Sequence, residues 1–209
     1  MKIIKAGYEI LTPINRMEIL KNIEKIGRVC YKSEDRITDE SAPKFVRMLI
    51  GRGHEAMIEH ESLSVKFICD RGVSHELVRH RIASFAQEST RYCNYSSDKF
   101  NNEVTFIEPP YFLNCDGRAK VWWEAMKASE DAYLYLLSNE ITAQEARSVL
   151  PNSLKTEVVM TANLREWRHF FKLRTAKAAH PQMREITIPL LRELQSLLPE
   201  IFDDIEVEQ

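Results

Sequence analysis

The sequence predicts one globular domain, or one compact unit with a subdomain, with helices and strands interleaved along the chain. Three observations carry that expectation. The 209 residues are 44% hydrophobic and 29% charged, an ordinary balance for a chain that buries a single core. Apolar side chains recur every three or four residues in some stretches and every second residue in others, the periods of helix and strand. No apolar run approaches the roughly 20 residues of a membrane span, so the hydrophobic residues are available for an internal core.

Residues 2–12 mix Ile3, Ile4, Ile10 and Leu11 with polar neighbours and read as a first strand. Ile14-Asn15-Arg16 leads into a helix on which Ile19, Leu20, Ile23 and Ile26 recur at helical spacing, with Gly27 near its end. A polar connection from Cys30 passes Asp35 and Asp39. Pro43 suits the first turn of a second helix, striped by Phe45, Val46, Leu49 and Ile50 and stopped by Gly51 and Gly53. Leu63, Val65, Phe67 and Cys69 alternate with Ser64, Lys66 and Ile68, a half-buried strand ended by Asp70-Arg71-Gly72. Ser74 caps a short helix that carries His75 to Val78 and the triplet Arg79-His80-Arg81. Residues 84–89 read as an irregular turn, Tyr92-Cys93-Asn94-Tyr95 as extended chain, and 96–102 as a polar loop. Val104 and Phe106 mark a short edge strand before Pro109-Pro110.

Residues 118–138 form a long helix with Val121, Trp122, Ala125, Met126, Ala132, Tyr133, Leu136 and Leu137 on its apolar side. Thr142-Ala143-Gln144-Glu145 is a capping box that opens a short helix stopped at Pro151. Between Leu154 and Ala162, Thr156, Val158 and Met160 share one face of a strand. Asn163 and Glu166 open another helix, as N-cap and third helical residue. Leu164, Trp167 and Phe171 form its stripe, and Arg174 falls in line with them. A guanidinium there either reaches solvent past the helix C-terminus or is fully bonded in a cleft. Arg165 and His169 share another face. After His180-Pro181 a final amphipathic helix runs to about Leu198, striped by Met183, Ile186, Leu190, Leu191, Leu194, Leu197 and Leu198 and kinked at Pro189. The tail beyond Pro199 is acidic and carries no readable chemistry.

Composition narrows the function. The net charge of −2 and a pI near 6.3 disfavour coating of nucleic acid, which needs a basic surface. Met1-Lys2-Ile3-Ile4-Lys5 lacks a signal-peptide core, and a cytoplasmic protein is expected. Cys30, Cys69, Cys93 and Cys115 are widely spaced, which argues for reduced, mostly buried thiols rather than disulfides or zinc. His54-Glu55-Ala56-Met57-Ile58-Glu59-His60-Glu61 lacks the H-E-x-x-H spacing and reads as a structural loop whose histidines bond backbone or carboxylates. Glycine occurs only at 7, 27, 51, 53, 72 and 117, so neither G-x-G-x-x-G nor a P-loop exists. A nucleotide must then be held by arginines, side-chain amides and helix N-termini.

Candidate chemistry concentrates in Arg79-His80-Arg81-Ile82-Ala83-Ser84-Phe85-Ala86-Gln87-Glu88-Ser89-Thr90-Arg91-Tyr92. Its arginines can fork onto a phosphate, and its aromatic and amide groups can grip a flat ring. A solvated helix face, with Glu76 paired to Arg79 and His80, is the plainer alternative. On a helix Arg79 and Arg81 point about 200° apart. Two ligands or two subunits would explain both arginines; so would one buried salt bridge plus one exposed side chain.

Arg79-His80-Arg81, seven residues and then Ser89 resemble the signature of the flavin-dependent thymidylate synthases. The likeness runs through Gln87-Glu88-Ser89-Thr90-Arg91-Tyr92. Upstream it takes in Gly53-His54-Glu55 and Glu59-His60. Downstream it takes in residues 146–151, Asn163-Leu164-Arg165 with His169, Leu173-Arg174 and His180, so that it covers about 25–195. Ala56 and Ala86 depart from the family pattern, and two extra residues separate Arg174 from His180.

The resemblance implies an α+β fold, a mainly antiparallel sheet flanked by helices. It implies a single domain over 1–209 and a homotetramer with active sites where subunits meet. It further implies conversion of dUMP to dTMP, with carbon from methylenetetrahydrofolate and hydride from FAD reduced by NADPH. No metal, nucleic acid or membrane is expected. Glu76, Leu77, Val78, Arg79, Gln87, Glu88, Ser89, Thr90, Arg91, Arg147 and Arg174 match nucleotide-contacting positions. Arg79, His80, Arg81, Ile82, Gln87, Asn163, Leu164, Arg165 and His169 match flavin-contacting positions. Arg174 matches the catalytic residue that polarises the uracil, where a fixed cation favours ionisation at N3. The alternatives are a pyrimidine-methylating enzyme with Cys93 as nucleophile, and a non-catalytic RNA-binding module built on the Arg/Tyr stretch.

Overall fold

The structure, a computed structural model, describes residues 1–112 and 116–207. Along the chain run β1 (Lys2–Ile4), β2 (Gly7–Ile10), α1 (Arg16–Val29), α2 (Ser41–Gly51), β3 (Ser62–Asp70), α3 (Arg71–Leu77), β4 (Ser84–Gln87) and β5 (Thr105–Ile107). Then follow α4 (Asp116–Ser138), α5 (Ala143–Ala146), β6 (Lys155–Asn163), α6 (Leu164–Arg174), α7 (Pro181–Leu197) and α8 (Pro199–Phe202). The residues group into two compact units. Unit 1 comprises Met1–Tyr8, Lys66–His80 and Phe85–Val159; unit 2 comprises Glu9–Val65, Arg81–Ser84 and the chain from Met160 onward.

A four-stranded sheet has the order β2-β3-β6-β4. β3 and β6 run in opposite directions: the Ser64 and Thr161 hydroxyls meet at 2.8 Å, while the Arg71 N–H donates to the Leu154 carbonyl at 3.1 Å. The fold is α+β with an antiparallel sheet. β1 and β5 form a separate parallel pair, Ile3 opposite Phe106. The first strand is thus two strands in two sheets, broken at Lys5-Ala6.

In unit 1, Tyr95, Val104, Phe106, Met126, Tyr133 and Leu154 make the core. The buried side of α4 departs from its apolar pattern: Val121 and Ala125 are exposed, while Glu130 is buried. The reason is polar. Glu130 accepts the Val104 N–H at 2.9 Å and so holds a position facing the core. In unit 2, Leu20, Ile23, Val46, Ile58, Leu190 and Leu191 are essentially fully buried, as is an aromatic block in which Trp167, Phe170, Phe171 and Phe202 contact one another. Each such side chain contributes roughly 1.5–3 kcal/mol of burial free energy.

The region before the central motif folds differently from its sequence reading. Asp70, not Ser74, caps α3, with its Oδ1 accepting the Val73 N–H at 2.7 Å. Gly72 leaves room for that carboxylate, since a Cβ there would stand 3.2 Å from it. The helix ends at Leu77, which places Arg79-His80-Arg81 beyond it. Residues 84–87 are a strand, not a turn. β4 is a sheet edge without a fully buried face, so its sequence shows no hydrophobic alternation. Tyr92 and Cys93 are not extended; both N–H groups turn back onto the Ser89 carbonyl.

The acidic tail has a structural role in unit 2. Glu200 accepts from Arg16 Nε at 3.0 Å and also pairs with Arg47. Leu197, expected in the apolar stripe of α7, is exposed. Of the described cysteines only Cys69 is buried; Cys93 is half-buried and Cys30 exposed, all with free thiols, and Cys115 lies outside the described residues.

Candidate functional site

Each unit carries more than one cavity, and in each unit one of them gathers motif residues. The unit 1 cavity is about 360 Å³, lined by Arg71, His75, Thr90, Arg147, Ser148, Leu150, Pro151, Asn152 and Leu154. The capping box at Thr142, in which Glu145 accepts the Thr142 N–H at 3.2 Å, starts α5, and Arg147 follows directly on it. Arg147 Nη1 donates to the buried Thr90 hydroxyl at 3.2 Å. The Arg71 backbone is fixed where β3 meets α3, its N–H donating to the carbonyls of Asn152 at 2.9 Å and Leu154 at 3.1 Å. Among the described residues no carboxylate lines this cavity, which therefore suits an anion.

Other motif residues of unit 1 are tied into the protein. Gln87 Nε2 donates to Ser74 Oγ at 2.9 Å and to Thr156 Oγ1 at 3.3 Å. Glu88 accepts from the Tyr95 hydroxyl at 2.9 Å and from Lys155 Nζ at 3.0 Å. Burial opposes the charge on Lys155, yet hydrogen bonds to Glu157 and Glu88 hold its pKa above the usual lysine value. Burial, and next the Glu88 charge, push the Tyr95 phenol upward. The same two causes raise the Cys93 thiol, which is thereby kept protonated and poorly suited to be the nucleophile of the alternative mechanism. Ser89 Oγ accepts the Arg91 N–H at 3.3 Å; the Arg91 side chain reaches Gln144 at 3.4 Å and lies 5.4 Å from the Tyr92 ring.

The unit 2 cavity is about 580 Å³, lined by Glu55, Glu59, Ile82, Asn163, Arg165, Glu166, His169 and Lys172. Asn163 caps α6 as its sequence indicated, accepting the Glu166 N–H at 2.9 Å. One turn apart, Arg165 and His169 face the same cavity. Glu55 accepts from Arg168 Nε at 3.0 Å and lies 3.9 Å from Arg165 and from Lys172, while Glu59 pairs with Arg165. In the segment expected to be tied down by its histidines, the glutamates do the tying. Neither His54 nor His60 makes a side-chain hydrogen bond among the described residues.

The structure thus brings Thr90 and Arg147 together in unit 1, and Ile82, Asn163, Arg165 and His169 together in unit 2. Glu76 and Leu77 end α3, with Val78 as its C-cap. Leu77 and Leu164 are fully buried. His80 is buried. Arg79 and Arg81 are exposed and have no ion-pair partner among the described residues, so neither the Glu76–Arg79 pair nor a buried salt bridge forms. Arg174 is half-buried as the last residue of α6; its carbonyl accepts the Thr187 hydroxyl at 3.0 Å.

Sequence reasoning missed Arg168, which is only 1% exposed. Its guanidinium bonds Glu55, both carboxylate oxygens of Asp204 at 2.6 and 2.7 Å, and the Ile201 carbonyl. The signal was present: Arg168 stands at the fourth position after Leu164 on the apolar stripe, where the cost of a buried cation applies more sharply than at Arg174.

A family model described as "Thymidylate synthase complementing protein" matches residues 14–200. The flavin-dependent thymidylate synthase of Geobacter sulfurreducens is 34% identical over 85% of this chain and 78% of its own length. That of Corynebacterium glutamicum is 31% identical over 97% of this chain and 85% of its own length. Among solved structures, a UMP/dUMP methylase PolB from Streptomyces cacaoi, bound with 5-Br dUMP, superposes with a TM-score of 0.78 at 23% identity. That match covers 97% of this chain and 96% of the other and shows the same fold.

Proposed function

This chain belongs to the flavin-dependent thymidylate synthase family, and from that membership we propose that it methylates dUMP to dTMP using FAD. The observation that carries the reading is the unit 1 cavity. A buried hydroxyl and a guanidinium already bonded to each other, in a lining free of carboxylates, suit the phosphate of a nucleotide. The unit 2 cavity fits the flavin chemically. Arg165, His169 and Lys172 offer donors for a diphosphate, and Ile82 offers an apolar surface for a ring.

On this reading Arg147 and Thr90 anchor the phosphate, with Ser89, Arg91 and the Gln87 region beside them in sequence. Arg174 stabilises negative charge on the uracil at N3. Asn163, Arg165 and His169 hold the cofactor. Bound FAD, once reduced by NADPH, supplies the hydride, and methylenetetrahydrofolate supplies the carbon. We infer a homotetramer whose subunits complete one another's sites. The exposure of Arg79, Arg81, Ile82 and Tyr92 supports this, because a single chain leaves these motif residues facing outward. A single family domain over residues 1–209 and a cytoplasmic location complete the reading. Among the described residues no helix is long and apolar enough to cross a membrane.

The test is spectroscopic and chemical. Purified protein is expected to show oxidised-flavin bands that bleach with NADPH and return in air, and to make dTMP from dUMP and methylenetetrahydrofolate. A colourless preparation that takes up no FAD and forms no dTMP overturns the proposal.

A further inference from the structure

Arg71 and His75 line the unit 1 cavity, yet neither belongs to the positions matched by the family resemblance. They stand four residues apart on α3 and so share one of its faces. Arg71 has an unanswered donor: its Nη1 is buried and has no hydrogen-bond partner among the described residues. Leaving such a group unpaired is costly, and native proteins rarely do so without a reason. The protein offers no remedy nearby. Asp70 Oδ1 is committed to the Val73 N–H, and the cavity lining holds no carboxylate among the described residues. The Asn152 and Leu154 carbonyls are taken by the Arg71 backbone, which also fixes where the side chain starts. An anionic ligand in the cavity would supply the missing acceptor.

A phosphate monoester carries a charge of about −1.5 to −2 at pH 7, more than one guanidinium neutralises. We propose that Arg71, with His75 on the same helix face, is a second cationic arm of the nucleotide site, acting with Arg147 on the 5′-phosphate dianion. The site then selects a nucleoside monophosphate over the uncharged nucleoside. This rests on the reading of the enzyme as a dUMP methylase, and the test separates the two.

The experiment is calorimetric titration of the flavin-loaded protein with dUMP, deoxyuridine and inorganic phosphate, for wild type, Arg71→Gln, Arg71→Lys and His75→Gln. Flavin content and far-ultraviolet dichroism serve as controls of folding. Arg71→Gln is expected to weaken dUMP about 10- to 100-fold, the range of one charge-assisted hydrogen-bonding group, and to leave deoxyuridine unchanged. Arg71→Lys is expected to recover part of the loss, because it restores the charge without the fork. His75→Gln is expected to give the smaller effect. Equal weakening of dUMP and deoxyuridine, or none, overturns the proposal, as does wild-type protein that binds neither dUMP nor phosphate. Arg71-dependent binding of phosphate without binding of dUMP upholds the anion site and overturns the methylase reading instead.

Discussion

The cavity of unit 1 gathers Arg71, His75 and Arg147 with no carboxylate, whereas that of unit 2 sets Arg165, His169 and Lys172 among Glu55, Glu59 and Glu166. In unit 2 the charges are largely answered from within, Arg165 by Glu59 and Arg168 by Glu55 and Asp204. A ligand there must exchange partners with existing ion pairs, which suits a large cofactor with polar, apolar and anionic parts. In unit 1 the cationic side waits for its counter-charge, which suits a compact dianion. Opposite charge policies of this kind predict different responses to mutation, salt and acid.

The largest expected effect is in unit 2. Arg168→Met removes the centre of a buried ion-pair group and should destabilise the fold by about 3–5 kcal/mol, read as a fall in the urea midpoint at unchanged m-value. An unchanged midpoint would show that Glu55 and Asp204 find solvent without cost. Acid provides a companion test. The hydrogen bond from Arg168 holds the Asp204 carboxyl below its ordinary range. A depressed carboxyl contributes stability above its unfolded pKa, near 3.9, that is lost as pH falls through the folded value. Wild type should therefore lose stability below about pH 4 more steeply than Arg168→Met, in which that linkage is gone.

Next in size is Arg174→Ala, expected to lower kcat by about 10²- to 10³-fold with flavin still bound, the usual loss for a group that stabilises charge only in the transition state. Turnover close to wild type removes Arg174 from its proposed role. The comparison between cavities is sharpened by a crossed pair. Arg147→Gln should weaken dUMP about 10- to 100-fold and leave flavin occupancy intact, while Arg165→Gln should loosen flavin and spare dUMP. Loss of both ligands in either variant would break the division of labour. Smallest of all is Cys93→Ala, which should retain near-wild-type turnover because burial and the Glu88 charge raise the thiol and make it a poor source of thiolate. Abolished activity in a folded, yellow variant would restore the Cys93 mechanism.

The fold was legible wherever one face of an element is fully buried. β3 and β6 alternate, with Leu63, Val65, Phe67, Val158 and Met160 all inside, and the Asn163 cap and Thr142 box are written in adjacent residues. It was not legible where polar groups decide. Asp70 took the cap from Ser74, Glu130 took a core position on α4, and β4 carries too few buried side chains to show its period. The candidate site divides in the same way. Arg165 and His169 could be placed on one helix face from spacing alone. Arg71 and Thr90 could not be brought to Arg147, because β5, α4 and α5 lie between them in the chain and only tertiary pairing assembles that cavity.

Arg168 must wait for its acceptor. Asp204 lies 36 residues further along the chain, an interval of about 2–7 s at translation rates of roughly 5–20 residues per second. During that interval α6 carries a cation on its apolar stripe without the carboxylate fork that lets it be buried. The ion-pair group of unit 2 therefore cannot be completed until residue 204 has been made.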